Sequence, residues 1–119
     1  MTTAARLLCT ALLAAGAAHA AARDNDFPTN ERVQYVLECM ANNPGSQFEM
    51  VSKCSCALDK MAEELSYEQY LTLSTEFKAA TIGGERGAVI RDNNTAQKDA
   101  RRYRDLQKKV QSACFINAR

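Results

Sequence analysis

Histidine is almost absent from this chain, because its 119 residues include only His19. That residue lies in an N-terminal segment that we expect to be removed, which would leave the mature chain without an imidazole. Ser-His and Cys-His catalytic pairs and histidine-bound metals are then excluded. We therefore expect a protein that is not an enzyme, with no catalytic residues and no cofactor.

Long apolar runs are also lacking. The run Leu7–Ala18 is too short and too rich in alanine for a membrane span, which needs about 20 strongly apolar residues. It ends in Ala18-His19-Ala20, a small-x-small cleavage site typical of a secretory signal peptide. We expect residues 1–20 to be cleaved after Ala20, with Ala22 as the alternative site. The mature protein is then expected to be soluble, with no membrane span, in the periplasm or secreted.

An excess of charge of either sign is missing as well. The chain has 15 basic and 14 acidic residues, and loss of Arg6 with the leader leaves 14 of each. This balance argues against nucleic acid as a partner. The charges are divided unevenly, since residues 29–80 hold eight acids and four bases, and residues 81–119 hold nine bases and four acids. The two halves are expected to attract each other.

Four cysteines remain after the leader and its Cys9 are removed: Cys39, Cys54, Cys56 and Cys114. An even number in a small exported chain is typical of a disulfide framework. Cys54 and Cys56 cannot bond to each other, because positions two apart on a helix point about 200° apart. They need partners elsewhere in the chain.

Two disulfide pairings survive. The register of a hairpin folded at Pro44-Gly45 favours Cys39 with Cys54 and Cys56 with Cys114. Helical phase favours the exchanged pairing, because Cys54 and Cys114 lie on apolar stripes while Cys39 and Cys56 lie off them. We favour the first pairing and leave the second open.

A soft-metal site is the alternative role for these cysteines. As thiolates, Cys54 and Cys56, with the other two cysteines, would hold Cu(I) or zinc, as in a periplasmic copper-binding protein or metallochaperone. The oxidising compartment and the missing histidine argue against it, so we expect no metal ligands. A redox-active disulfide is less favoured still, because Lys53 is the only adjacent positive charge.

Residues 21–119 are predicted to form a single all-α domain, a small disulfide-stapled bundle of about four helices. Helical spacing and capping boxes place the helices near 29–42, 46–65, 66–80 and 95–114, with a loop at 81–94. The boxes are Ser46-x-x-Glu49 and Ser66-x-x-Gln69. The last helix is expected to run antiparallel to the second and parallel to the third, with the long loop spanning the bundle.

The buried face of the first helix is predicted from its apolar residues at helical spacing. These are Val33, Val36, Leu37 and Met40, while Tyr35 and Cys39 lie off the stripe. The last helix has a thin apolar stripe and many basic residues on its other faces. We expect this basic surface to be partly solvated and partly paired with acids of the second and third helices. Docking on an acidic partner or an anionic membrane is the alternative.

The predicted loop contains Gly83, Gly84, Arg86 and Gly87 in the run Gly-Gly-Glu-Arg-Gly. Backbone N–H groups in such a run can form a nest for an anion or contact a partner. An ordinary crossover loop with glycine turns is the favoured interpretation, because the run is neither a P-loop nor a dinucleotide fingerprint.

Four short motifs carry a resemblance to a known group of proteins. They are Glu38-Cys39-Met40, Cys54-Ser-Cys56 followed by Asp59, Ser66-Tyr67-Glu68-Gln69-Tyr70, and Gly84-Glu85-Arg86-Gly87. Over most of residues 30–116 the chain resembles small exported four-cysteine bacterial proteins found with periplasmic quinoprotein (PQQ-dependent) alcohol dehydrogenase systems. The resemblance implies an accessory, protein-binding role in periplasmic alcohol oxidation, with no catalytic residues to assign.

Overall fold

The computed structural model describes residues 25–116, and within that range it is all-helical with no strand. The predicted signal peptide and its cleavage site lie outside the described residues. The five helices are α1 (Thr29–Asn42), α2 (Gln47–Glu64), α3 (Tyr67–Ala80), α4 (Gly84–Arg91) and α5 (Asn94–Ala113). None of the helices described has the combination of length and apolar character needed to cross a membrane.

Two disulfides join the helices. Cys39 of α1 bonds to Cys54 of α2, 15 residues away, and Cys56 bonds to Cys114, 58 residues away. This is the pairing that the hairpin register favoured. Cys54 faces α1 and Cys56 faces the end of α5, so α2 is fastened on two sides.

The predicted loop at 81–94 is wrong, because α4 occupies most of it and raises the helix count from about four to five. Three glycines in the five residues 83–87 conceal the helical pattern, because glycine is unfavourable within a helix. The turn before the helix is held by the guanidinium of Arg91, which donates to the carbonyl oxygens of Ile82 (2.7 Å) and Gly84 (2.9 Å). Gly84 supplies a φ of +74°, which a residue with a side chain adopts at a cost.

Gly87 permits the close approach of α4 to the preceding turn. A methyl group added there would overlap the carbonyl oxygen of Ile82, whereas one added at Gly83 would meet nothing within 4 Å. We expect Gly87→Ala to lower the free energy of unfolding by about 1–3 kcal/mol through overpacking. Urea unfolding would measure this, with Gly83→Ala as the matched control; a smaller loss is expected there, because Gly83 is the N-cap of α4 but an added methyl group meets no other atom. Equal stability of the two variants would contradict this account of α4.

The predicted buried face of α1 is only partly correct, because Val36 and Met40 pack against the core but Val33 and Leu37 do not. Tyr35 and Cys39 are buried, while Val33 is 52% and Leu37 60% exposed. The rotation of α1 about its axis is set by the bond from Cys39 to Cys54 and by the Tyr35 ring, which lies 6.3 Å from that of Tyr70 between centroids. Val33 and Leu37 are therefore turned outward, while Val36 and Met40 lie at the edge of the core.

The third correction concerns the direction of α5. Ala80 and Thr81, where α3 ends, line the same pocket as Gln97 and Ala100 near the start of α5. The two helices therefore run in opposite directions, and the predicted parallel arrangement is wrong. Since α4 folds the connection into a compact turn, the chain returns along α3 instead of crossing the bundle. The antiparallel relation of α5 to α2 holds, because Lys109 pairs with Glu64 and Cys114 bonds to Cys56.

Local capping defines several helix ends. At α3 the predicted capping box is present: Gln69 N–H donates to Ser66 Oγ (3.3 Å), and Ser66 N–H donates to Gln69 Oε1 (3.1 Å). At α2 the Ser46 side chain makes no capping hydrogen bond. The carboxylate of Asp26 accepts from Tyr67 N–H at 3.0 Å, which ties the segment before α1 to the start of α3.

The core lies where α1, α2, α3 and α5 meet. Its largest fully buried side chains are those of Met61, Leu65, Val110 and Cys54. α3 and α5 share the most extensive interface. Both of its sides contribute aromatic rings, so the register between these two helices positions every surface feature described below.

Candidate functional site

The four cysteines of the described chain are paired with one another. All four are in disulfides, and Cys54 is fully buried. Residues 25–116 contain no group of three or more histidine, cysteine or acidic side chains placed to hold a metal. The soft-metal alternative would first require reduction of both bonds, because a thiolate and not a disulfide sulfur is the ligand.

The glycine segment forms the entry to α4. The Ile82 and Gly84 carbonyl oxygens are occupied by Arg91, and Arg86 is exposed to solvent. An anion approaching the first turn of α4 would meet the carboxylate of Glu85. Binding of an anion or a partner by Gly83, Gly84, Arg86 and Gly87 stays a prediction.

The outer side of α5 carries the most concentrated charge. This helix has six basic and two acidic residues. All six basic residues are exposed, and four of them recur at helical spacing on the side away from Tyr103. We call these four the basic face: Lys98, Arg101, Arg104 and Lys108.

The basic face is largely free of internal ion pairs. Among the described residues Lys98, Arg101 and Lys108 form none, and Arg104 meets the exposed Asp105 at 3.5 Å. Arg101 has a hydrogen bond to the neutral Gln97 amide at 3.3 Å. The predicted pairing with acids of the other helices is found for Lys109, which bonds to Glu64 on the flank of α5. The basic face is therefore available to a partner.

A pocket of about 250 Å³ opens beside the basic face, between the end of α3 and the first half of α5. We call it the α3–α5 pocket. Its lining surface is mainly apolar and includes two exposed arginines. The lining residues are Phe77, Ala80, Thr81, Gln97, Ala100, Arg101 and Arg104. The sequence gives no signal for this pocket, because it depends on the direction and register of two helices that are not adjacent in the chain.

Comparison with family models, curated proteins and solved structures found no match to this chain. Function is therefore argued from the surface and its chemistry.

A second concavity, of about 200 Å³, lies between α1, α3 and α5. Tyr35 and Tyr103 form part of its wall, and Tyr70 contacts both rings. Burial raises the pKa of all three phenols above the usual value, with mutual repulsion adding to the effect for Tyr35 and Tyr103. The buried Tyr35 hydroxyl has no hydrogen-bond partner among the described residues.

These tyrosines should make the fold sensitive to alkali. A raised folded-state pKa contributes stability below the unfolded value of about 10, and that stability is lost as the pH rises above it. Above that pH, each buried tyrosine adds up to about 1.4 kcal/mol per pH unit to the decrease in the free energy of unfolding. We expect Tyr35→Phe to make the decrease in the free energy of unfolding per pH unit smaller by this amount.

At neutral pH the same substitution should raise the free energy of unfolding by about 1 kcal/mol, because it removes a buried hydroxyl that has no partner. Urea unfolding over a range of pH would measure both effects. An unchanged alkaline slope would show that the Tyr35 phenol ionises without unfolding the protein.

Proposed function

We propose that this chain is an exported accessory protein that acts by binding an acidic surface of another protein through the basic face. It is not an enzyme in this proposal, and its two disulfides hold the face in shape. The observation that carries the proposal is the row of exposed cations on α5, three of which form no ion pair within residues 25–116. Such a row gives fast, charge-selective association with a complementary surface.

A protein partner is favoured over an anionic membrane. A helix that lies on a membrane must present large apolar side chains beside its cations. In α5 the large apolar residues Tyr103 and Val110 are buried in the core. The apolar surface beside the basic face is concave, and a concave surface fits a protruding protein side chain better than a lipid layer.

The predicted leader and the two disulfides support a periplasmic setting, since disulfides form and persist in oxidising compartments. The resemblance to proteins of quinoprotein alcohol dehydrogenase systems supplies the proposed context. In that context the partner is a component of periplasmic alcohol oxidation.

Site-specific crosslinking would identify the partner. A photoreactive residue in place of Asp105, on the basic face, is expected to capture one protein in the periplasm. The same residue in place of Gln34, exposed on α1, is the matched control. Capture from both positions alike would count against a specific face.

Charge reversal then tests the proposal on the purified partner. We expect Arg101→Glu and Lys108→Glu each to weaken binding about tenfold, and added salt to weaken wild-type binding more than that of the variants. Arg86→Glu is the control with the same change of charge, and it also tests the glycine segment. Equal losses from all three substitutions would contradict a specific role for α5. Binding to anionic vesicles without a protein crosslink would replace the proposal with a membrane one.

A further inference from the structure

The α3–α5 pocket has a composition that restricts what can enter it. Phe77, Ala80 and Ala100 are the apolar part of its lining. Arg101 and Arg104 also line it, and both are exposed residues of the basic face. A ligand that satisfies both parts must combine one apolar body with negative charge close beside it.

We infer that this pocket receives a single aromatic side chain of the partner protein, carried on an acidic segment. The inference rests on the proposed function and deepens it by naming the recognised element. Carboxylates on either side of the aromatic residue pair with Arg101 and Arg104, whose planar groups match a carboxylate in two parallel hydrogen bonds. The pocket thereby converts general charge attraction into recognition of one position in the partner's sequence.

An aromatic ring fits this pocket better than an aliphatic side chain. Guanidinium groups are attracted to the faces of aromatic rings. Arg101 and Arg104 would therefore contact the ring as well as the carboxylates beside it in the partner's sequence. Within the pocket the ring would add to an existing aromatic cluster, since Phe77 lies 5.3 Å from Tyr103 between centroids. The small side chains of Ala80 and Ala100 leave the space that the ring would fill.

Synthetic peptides on the oxidised protein would test the inference. The probes are fluorescent peptides with one central residue between four aspartates, identical except that the centre is Phe, Leu or Ala. We expect the Phe peptide to bind about tenfold more tightly than the Ala peptide, with the Leu peptide between them. Ala80→Leu fills the pocket and should reduce binding of the Phe peptide to the level of the Ala peptide. Ala79→Leu, a half-buried neighbour on α3 that does not line the pocket, is the matched control and should change nothing.

The outcomes separate the inference from the proposed function. If the Phe and Ala peptides bind equally and both are weakened by Arg101→Glu, the pocket is not a recognition site and the basic face still is. If Ala80→Leu and Ala79→Leu weaken the Phe peptide equally, the effect is one of α3 stability and the inference fails. If neither peptide binds at millimolar concentration, or if Arg101→Glu has no effect, both the inference and the proposed function are overturned.

Discussion

Replacing Cys56 and Cys114 together by alanine is expected to lower the free energy of unfolding by about 4 kcal/mol. The bond closes a loop of 58 residues, and the chain-entropy model assigns about that stabilisation to a loop of this size. Because small domains are marginally stable, this loss would leave a large share of the molecules unfolded at body temperature. Urea unfolding under oxidising conditions, followed by far-UV circular dichroism, would measure it.

The double substitution avoids an unpaired thiol, so the result reports the missing bond. Cys39→Ala with Cys54→Ala removes the shorter loop of 15 residues, for which the same model gives about 3 kcal/mol. Removing the buried sulfur of Cys54 adds a packing loss to that figure. Wild-type stability in the Cys56/Cys114 variant would mean that core packing alone holds the end of α5 on α2.

Tyr103→Ala is expected to lower the free energy of unfolding by about 3–5 kcal/mol. Its ring is buried between α3 and α5, with centroids 5.3 Å from Phe77 and 6.0 Å from Tyr70. Truncation leaves a cavity that the two helices can fill only by moving, and large aromatic truncations in cores cost about this much. Urea unfolding would measure this loss. The decrease in the free energy of unfolding at alkaline pH, described above for Tyr35, should also become less steep.

Tyr103→Phe is the control, because it keeps the ring and removes only the hydroxyl. We expect a much smaller loss in the free energy of unfolding than in the alanine variant, since the ring keeps its packing contacts. If Tyr103→Ala costs less than about 1 kcal/mol, the contact between α3 and α5 does not rest on this aromatic cluster.

Helix boundaries were predictable because their causes are local. The predicted limits of α1, α2, α3 and α5 agree with the structure to within a residue or two. The capping box of Ser66 and Gln69 explains why the start of α3 could be placed without knowing anything outside that segment. The helix α4 was not predicted because its glycines lower the helix propensity of the segment. Gly87 is needed for the close contact with Ile82, and helix propensity does not take such a contact into account.

Features that depend on how the helices pack against one another were not predictable. The stripe of Val33 and Leu37 satisfies the usual rule for a buried face, and yet Tyr35 and Cys39 face the core. A disulfide and an aromatic contact outweigh two aliphatic side chains in setting the rotation of α1. The direction of α5 likewise followed from the compact turn at α4, which the sequence did not indicate.

The two parts of the candidate site differ in the same way. The basic face comes from residues of one helix, so its helical spacing could be read from the chain. The α3–α5 pocket joins Ala80 to Ala100, and these residues meet only because the two helices run antiparallel. The sequence indicates the charge that is proposed to attract a partner, but it does not indicate the cavity that is proposed to select that partner.

The spacing of Cys54 and Cys56 has a consequence for how the protein matures. If the chain is exported from its N-terminal end, as proposed, Cys39, Cys54 and Cys56 emerge well before Cys114. Cys56 would therefore remain a free thiol close to the first disulfide. Its thiolate could attack the sulfur of Cys39, which would form a bond between Cys39 and Cys56 and release Cys54 as a thiolate. In the finished fold Cys54 is fully buried against α1, so an early hairpin of α1 and α2 would shield the correct bond from that attack. The order of folding and oxidation thus decides which of the two pairings the cell obtains, and a disulfide isomerase would be the natural means of correcting errors.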